Sequence, residues 1–513
     1  MPSLVDSGST VLIVGAGPTG LALALSLATA GVPIRLIDSK PAPATNSRAI
    51  GIQARTLELL DLFGLGESFV SLGLRAHAGN IYAKSRRLVH LDLAGLQSRY
   101  PFILLLEQTE TERLLAQALL RKDVQVERGV ELVSFEQNDG GVDVQLSQSG
   151  APPVAGRYAY MVGCDGAHSI TRHGLGVGFS GKTLRQKFML ADLDVRWRLP
   201  DDEFHIFTSP EGLMAIFPMR SGHRLIAETP KEPTASATGP TLSQLEEVAA
   251  QRTAVEMTFS NMRWSSFFQV NSRLATRLRD GRVFLAGDAA HIHSPAGAQG
   301  MNTGMQDALN LAWKLAFVLR GDAAPGLLDS YQTERYPVEQ GVLRKTEILT
   351  RMVSLRAPPL RHARNLIVPP LARTRLVQSV GRKTISQIGI NYRRGRARVM
   401  DGLAAGDRMP DGEIELEGER KRRLYSLLGG ARFTLLLVSR RDVSRLEASV
   451  VALVPKRVVQ LICARSFLCD EHQDLDGRFC LIRPDAYVAQ LEPISEVAKA
   501  IDWLDAHLQG QSH

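Results

Sequence analysis

The chain has 513 residues, 44% hydrophobic and 22% charged. That is the make-up of a globular protein with room for two to four domains, which excludes a disordered or fibrous chain. Its net charge of +8 comes with no aromatic interleaving and no nucleic-acid motif, so a nucleic-acid partner is not expected. The four cysteines (Cys164, Cys463, Cys469, Cys480) contain no Cys-x-x-Cys pair, which excludes a disulfide scaffold and fits a reducing, cytoplasmic setting.

The first ten residues lack a positive patch followed by an apolar run, so no secretory leader is expected. The apolar stretches, such as Leu21 to Ala30, are too short to span a bilayer. Residues 10–38 read as strand, turn, helix and strand. The helix Pro18 to Ala30 stops at Gly31, a left-handed cap followed by Pro33, and Asp38 closes the second strand. Residues 109–122 begin with a capping box and carry a helical apolar stripe. From 124 to 163 short strands are separated by turns such as Asn138 to Gly141. Residues 180–275 alternate apolar and polar positions, as an antiparallel sheet with one buried face does, with a surface loop over Lys231 to Thr241. Asp307 to Arg320 reads as a strong helix.

Between Arg344 and Arg398 stand twelve Arg and two Lys against one acid, Glu347. This segment reads as a solvated helical connector, interrupted by prolines 358, 359, 369 and 370. From about 400 a second pattern begins, with strands at Phe433 to Val438, Val458 to Cys463 and Arg478 to Ile482, and a closing helix, Ile494 to Leu508.

Three segments carry chemistry. Gly15-x-Gly17-x-x-Gly20 follows a strand and opens a helix, as a dinucleotide turn requires. Gly15 permits the turn, Gly17 lets a pyrophosphate approach the backbone, and Gly20 lets helix and strand pack. Pro18 and Thr19 begin the helix whose N–H groups face the phosphates. Asp38, with Ser39 beside it, is placed to accept from the adenosine ribose hydroxyls, and its charge would repel a 2′-phosphate. This turn alone does not separate NAD from FAD. The second segment, Arg282 to His291, ends a strand in Gly287-Asp288 and leads through Pro295, Gly297 and Gly300 into a helix near Met301, Asn302 and Gly304. A carboxylate beside a ribityl chain and a helix N-terminus facing reduced flavin point to FAD. The third, Gly163 to Arg172, pairs Asp165 and Gly166 with the cation Arg172 at a strand-to-helix turn.

Together these segments resemble the group A FAD-dependent aromatic hydroxylases, the phenol and para-hydroxybenzoate hydroxylase-like flavoprotein monooxygenases, over roughly residues 8–350. The resemblance implies an α/β fold: a Rossmann-like FAD-binding domain (1–179 and 276–345) interleaved with an antiparallel-sheet substrate domain (180–275). A basic helical connector (346–399) would lead to a small thioredoxin-like α/β domain (400–513), matched at Phe479 to Val488. Without Cys-x-x-Cys that domain is expected to be redox-inert.

The resemblance further implies tightly bound FAD, NAD(P)H as transient reductant and O2 as co-substrate, with oxygen passing from a flavin C4a-hydroperoxide to a phenolic or polyketide-like ring. Flavin binding and NAD(P)H use then fall on Asp165, Gly166 and Arg172, and ribityl contact on Asp288. Arg48 falls near flavin and substrate, and Gln108 ahead of the next helix. Ala298 stands where many relatives have glycine. Substrate candidates on the sheet are Tyr82, His205, Phe207, Met214, Phe217 and Phe267. His291 and His293 lack a third ligand at metal spacing, so no metal is expected. The expected assembly is a monomer or homodimer. The alternative is a related monooxygenase acting on a quinone or lipid-like ring, docked on anionic membrane by the basic segment. A non-catalytic FAD-binding protein and a plain NAD dehydrogenase are the other readings.

Overall fold

The computed structural model describes residues 9–46, 49–229, 238–293, 297–353, 355, 357–393, 402–416, 421–441, 448–469 and 475–508. At its centre the strand Val11–Val14, buried along its whole length, pairs in parallel with Ile34–Asp38 on one side and Tyr160–Gly163 on the other. Val283–Leu285 joins beyond Tyr160–Gly163, and Val126–Arg128 beyond Ile34–Asp38. Such strands are apolar at every position because both faces of the sheet are covered. The helix Pro18–Thr29 covers one face with the helices Gln108–Leu120 and Gly300–Leu319. A three-stranded meander over 130–158 covers the other with Val130, Leu132, Val142 and Val144. The first helix ends as the sequence predicts, with Gly31 at φ +73°.

The predicted capping box at 109–112 does not form. The helix starts one residue early, at Gln108, with Glu107 at its cap and no side-chain capping bond. Glu112 instead accepts from Gln108 Nε2 at 2.8 Å.

The second layer is an eight-stranded sheet built on two 18-residue strands, Phe179–Arg196 and Thr258–Ala275. It continues through Gly222–Glu228, Gly212–Met219 and Glu203–Ser209. It then takes in Ala78–Ala83 and Arg86–Asp92, about a hundred residues upstream. Ala78–Ala83 runs parallel to Glu203–Ser209, so the sheet is not wholly antiparallel. A helix not expected from the alternating pattern, Leu242–Arg252, begins at a Thr241–Gln244 capping box and packs Leu245, Val248 and Ala249 on one face of this sheet. Most of the loop predicted over 231–241 lies outside the described residues.

The helix Asp329–Val353 runs across the predicted start of the connector. Pro358 and Pro359 open the next helix, Pro358–Ala372, and Pro369 and Pro370 fall in its last turn, so they end it rather than split it. Arg375–Ile385 follows.

The C-terminal unit is a six-stranded thioredoxin-like sheet around the fully buried strand Phe433–Val438, parallel to Val459–Leu468 and antiparallel to Arg478–Ile482. The predicted closing helix begins as a single 3-10 turn, Ile494–Glu496, before Ala498–Leu508. This unit docks through buried charge. Arg483 makes two bonds to Glu334, at 2.7 and 2.9 Å, and two to Asp485, at 3.0 and 2.7 Å. Lys314 reaches Glu334 at 2.8 Å, and Arg55 reaches Tyr425 and the Asp485 carbonyl at 2.8 and 2.9 Å. Burial alone would raise the Glu334 carboxyl, but Arg483 and Lys314 overcome it and hold it well below the usual carboxylate range. Arg483→Ala therefore leaves an underpaired buried carboxylate. Denaturant titration is expected to show a loss of about 3–5 kcal/mol, and an unchanged midpoint would mean the pair carries no docking energy.

Candidate functional site

At the first glycine turn each glycine meets a different constraint. Gly15 has φ +101°, and a Cβ there would run into the Cys164 carbonyl. A Cβ on Gly20 would strike the Gly15 carbonyl, whereas the Cβ position of Gly17 has nothing within 4 Å. Gly17 caps a helix with Pro18 at its first position, no capping side chain and no acid in its first turn. Its first N–H groups are therefore left for an external acceptor, and the open space lies in front of them. Asp38 braces the turn by accepting from the Ala16 and Lys40 amides at 2.8 and 2.9 Å. Arg128 stands 3.5 Å away, and Ser39 is exposed.

The second glycine segment packs onto the first through Thr19. A Cβ on either Gly287 or Gly304 would collide with the Thr19 hydroxyl. Gly287 and Ala289 are buried, while Asp288 between them is exposed. The helix Gly300–Leu319 again begins without a capping side chain or a first-turn acid, so its opening N–H groups at Gly300, Met301 and Asn302 form a second free donor set. The Asn302 side chain itself is spent on structure: Nδ2 donates to Gly51 and Ala298 carbonyls at 2.8 and 2.9 Å, and Oδ1 accepts from Gln53 N at 2.9 Å. Ala298 stands at φ +51°, a backbone region that favours glycine.

Two predicted residues, Arg48 and Pro295, lie outside the described residues. Ala49, next to Arg48, accepts from the Gln108 amide at 3.1 Å and from Arg224 at 3.5 Å. Gln108 is therefore held beside Ala49.

The third element is largely self-bracing. Asp165 accepts from the Ser169 hydroxyl at 2.6 Å and from the Thr171 amide and hydroxyl at 3.0 Å. Gly166 has φ +78° and open space around it. Arg172, buried over the Phe179 ring, donates to the Ala167 and Ala289 carbonyls at 2.9 and 3.0 Å. It stitches this turn to the one carrying Asp288.

Beneath Asp288 lies a charge cluster that sequence spacing did not reveal. His291 Nε2 sits 2.7 Å from Asp307 Oδ2 and 3.9 Å from Glu339, all fully buried. Arg335 donates to Asp307 Oδ1 at 2.7 Å, and the Gly287 amide to Asp307 Oδ2 at 3.3 Å. Two helices thus bring Asp307 and Glu339 to His291, without His293, and the three groups have the donor chemistry of a cation site. Asp307, however, is already held by Arg335 and the imidazole, while Glu339 has no hydrogen-bond partner among the described residues and burial and Asp307 push its carboxyl up to about 8. Burial alone would lower the His291 imidazole, but Glu339 and Asp307 outweigh it and raise it to about 9.

The pleat corrects most of the substrate candidates. Tyr82, Phe207, Met214 and Phe267 pack in the core beneath Leu242–Arg252. His205 shares that side, 3.3 Å from the Tyr82 hydroxyl and 3.0 Å from the Pro200 carbonyl. Phe217 alone of the six packs on the opposite face, with Ile50, Ile103 and Leu105 of the first domain. On that face the register aligns Phe217, Arg224, Asp192 and Trp264 across four strands, with Ile226, Leu190 and Ser266 in the next row. Phe217, Ile226, Trp264 and Ser266 are only half-buried, as the wall of an open cleft would be.

Comparison with known proteins places this geometry. A family described as an FAD binding domain matches residues 8–346, and one described as the aromatic-ring hydroxylase C-terminal domain matches 403–509. The 12-dehydrotetracycline 5-monooxygenase/anhydrotetracycline 6-monooxygenase of Streptomyces rimosus is 34% identical over 93% of this chain and 94% of its own. The pentachlorophenol 4-monooxygenase of Sphingobium chlorophenolicum is 33% identical over 86% of this chain and 82% of its own. Among solved structures, the anhydrotetracycline hydroxylase OxyS from Streptomyces rimosus superposes with a TM-score of 0.80 at 32% identity, covering 97% of this chain and 98% of that one.

Two outcomes follow from the geometry. Ala298→Gly relieves a left-handed alanine and is expected to raise stability by about 1 kcal/mol in denaturant titration; a loss instead would show that the turn is unstrained. The His291 imidazole is raised above its unfolded value of about 6.5. Its stabilisation is complete below that pH and is lost as pH rises through about 9. Unfolding measured across this window should show a decline that His291→Gln flattens.

Proposed function

This chain belongs to the FAD-dependent aromatic-ring hydroxylases, and from that membership we propose that it oxygenates a polycyclic phenol of polyketide type in the cleft between its glycine turns and its large sheet. It is an FAD-dependent monooxygenase of aromatic substrates, using NAD(P)H and O2. The observation carrying the finer reading is the meeting at Thr19 of two uncapped helices beside one exposed carboxylate, Asp288. Two anion-binding helix ends fit the two negative parts of one extended cofactor, its pyrophosphate and its reduced ring.

Bound FAD would supply the redox chemistry, by which two electrons from NAD(P)H let one oxygen atom of O2 enter the substrate ring while the other leaves as water. The work left to the protein is binding, orientation and exclusion of water. In this reading the turn at Gly15, Gly17 and Gly20 holds the pyrophosphate, with Pro18 and Thr19 opening the helix behind it. Asp38, with Ser39 beside it, accepts from the adenosine ribose. Asp288 accepts from the ribityl hydroxyls. The amides at Gly300, Met301 and Asn302 hold negative charge at the ring. Gln108 and Arg48 border the ring, and Asp165, Gly166 and Arg172 keep the intervening turn in place. The substrate would lie on the half-open row of Phe217, Ile226 and Trp264, whose width across several strands suits fused rings better than a single phenol. The ring systems named for the tetracycline relatives support that class. The low cysteine content supports a reducing, cytoplasmic setting.

The purified protein is expected to be yellow and to oxidise NAD(P)H faster when a polycyclic phenol is added. Acceleration by single-ring phenols alone would overturn the polycyclic assignment. Asp288→Ala removes a hydrogen bond from a charged acceptor, so FAD retention should weaken by about tenfold or more, read from flavin absorbance after desalting. Arg48→Ala is expected to slow flavin reduction or to divert oxygen into free hydrogen peroxide; unchanged rate and coupling would count against its assigned place.

A further inference from the structure

The helices Pro358–Ala372 and Arg375–Ile385 rest on the protein through Pro369, Ala372 and Ile385 and through three polar contacts. Gln378 donates to the His90 carbonyl at 2.8 Å, Arg382 to the Asp92 carbonyl at 2.6 Å, and Arg364 to the Thr208 hydroxyl at 3.1 Å. Between this pair and the edge strand Arg86–Asp92 lies a half-open groove of about 390 Å³, lined by Leu88, His90, Gln378 and Arg382 among others. The outward faces carry Leu360, Leu366, Ile367, Leu371, Leu376 and Val380, between 52% and 74% exposed. Their spacing sets them along one side of each helix. Arg375–Ile385 buries no residue at all. An ordinary surface helix turns its large apolar residues inward, so a face that carries six of them outward is built for a non-aqueous partner.

Charge selects the partner. Around the apolar residues stand exposed Arg373, Arg375 and Lys383, with Arg351 on the preceding helix. The only acid between 344 and 398 is Glu347, and it is engaged by Lys182 and Arg351. A second copy of the chain meeting this face through a two-fold axis would set arginine against arginine. An acidic surface with an apolar interior satisfies both features. We propose that this two-helix face seats on an anionic phospholipid surface, the apolar stripe entering the acyl boundary and the arginines and lysine meeting headgroup phosphates. The inference stands apart from the catalytic reading, because none of these residues is assigned to cofactor or substrate.

The test is sedimentation of the FAD-loaded enzyme with vesicles of phosphatidylcholine alone or phosphatidylcholine with phosphatidylglycerol. Binding is expected only to the anionic vesicles and should weaken as salt is raised. The double variant Leu376→Glu/Val380→Glu should keep its flavin spectrum and NAD(P)H oxidation while losing at least about tenfold in vesicle binding. Arg373→Gln and Arg375→Gln should each lose about fivefold. No binding by the native enzyme, equal binding to neutral vesicles, or undiminished binding by the double variant would each overturn the proposal. So would sedimentation-velocity self-association of the native enzyme that the double variant abolishes, since the face would then belong to a second copy.

Discussion

One side chain sets the distance between the two halves of the cofactor cleft. Thr19, in the first turn of its helix, is pressed against Gly287 and Gly304, positions where no side chain fits. Glycine is needed at both, and the helices Pro18–Thr29 and Gly300–Leu319 consequently begin side by side. A methyl group at either position would push apart the two N-termini, and the carboxylate of Asp288 would move with them. Asp307 reinforces this lock from behind. It holds the Gly287 amide while bound to His291 and Arg335, so the exposed turn rests on a fully buried set of ion pairs.

Charge is also what joins the thioredoxin-like unit to the rest. Arg483, Glu334, Lys314 and Asp485 form a compact network at the seam, beside an apolar cluster in which Trp313 and Phe317 meet Phe433. Buried ion pairs add little net stability over an apolar contact, but they tolerate only one arrangement. Their presence at the seam suits a unit whose role is fixed docking rather than redox exchange. Burial likewise pushes the Cys480 thiol up to about 12, which keeps it from acting as a nucleophile at neutral pH.

Backbone-dictated features were legible in the sequence, and features set by facing or by distant partners were not. Gly15, Gly20 and Gly287 were readable because each answers a demand on φ or on close approach, and Gly17 because it leaves open space before a helix N-terminus. The substrate residues were not, although strand alternation held part of the answer: Met214 and Phe217 are three apart on one strand and so face opposite ways. Which of those faces met the first domain depended on Ala78–Ala83 and on the helix Leu242–Arg252. The capping box that opens that helix, Thr241 to Gln244, was visible but was lost within an alternating pattern. At Thr109 to Glu112 a similar motif misled, since Gln108 already starts the helix. The partners of His291 come from helices 16 and 48 residues further on, beyond the reach of any spacing rule.

The central sheet has a consequence for biosynthesis. Val11–Val14 pairs directly with Tyr160–Gly163, and that strand with Val283–Leu285. The first turn therefore leaves the ribosome long before the segment that completes it. At about 5–20 residues per second, some 270 residues of further translation take roughly a quarter of a minute to a minute. Until Tyr160–Gly163 emerges the N-terminal strand keeps one apolar edge unpaired, Tyr160–Gly163 then keeps its own until Val283–Leu285 arrives, and over the whole interval the flavin has only half of its cradle to enter.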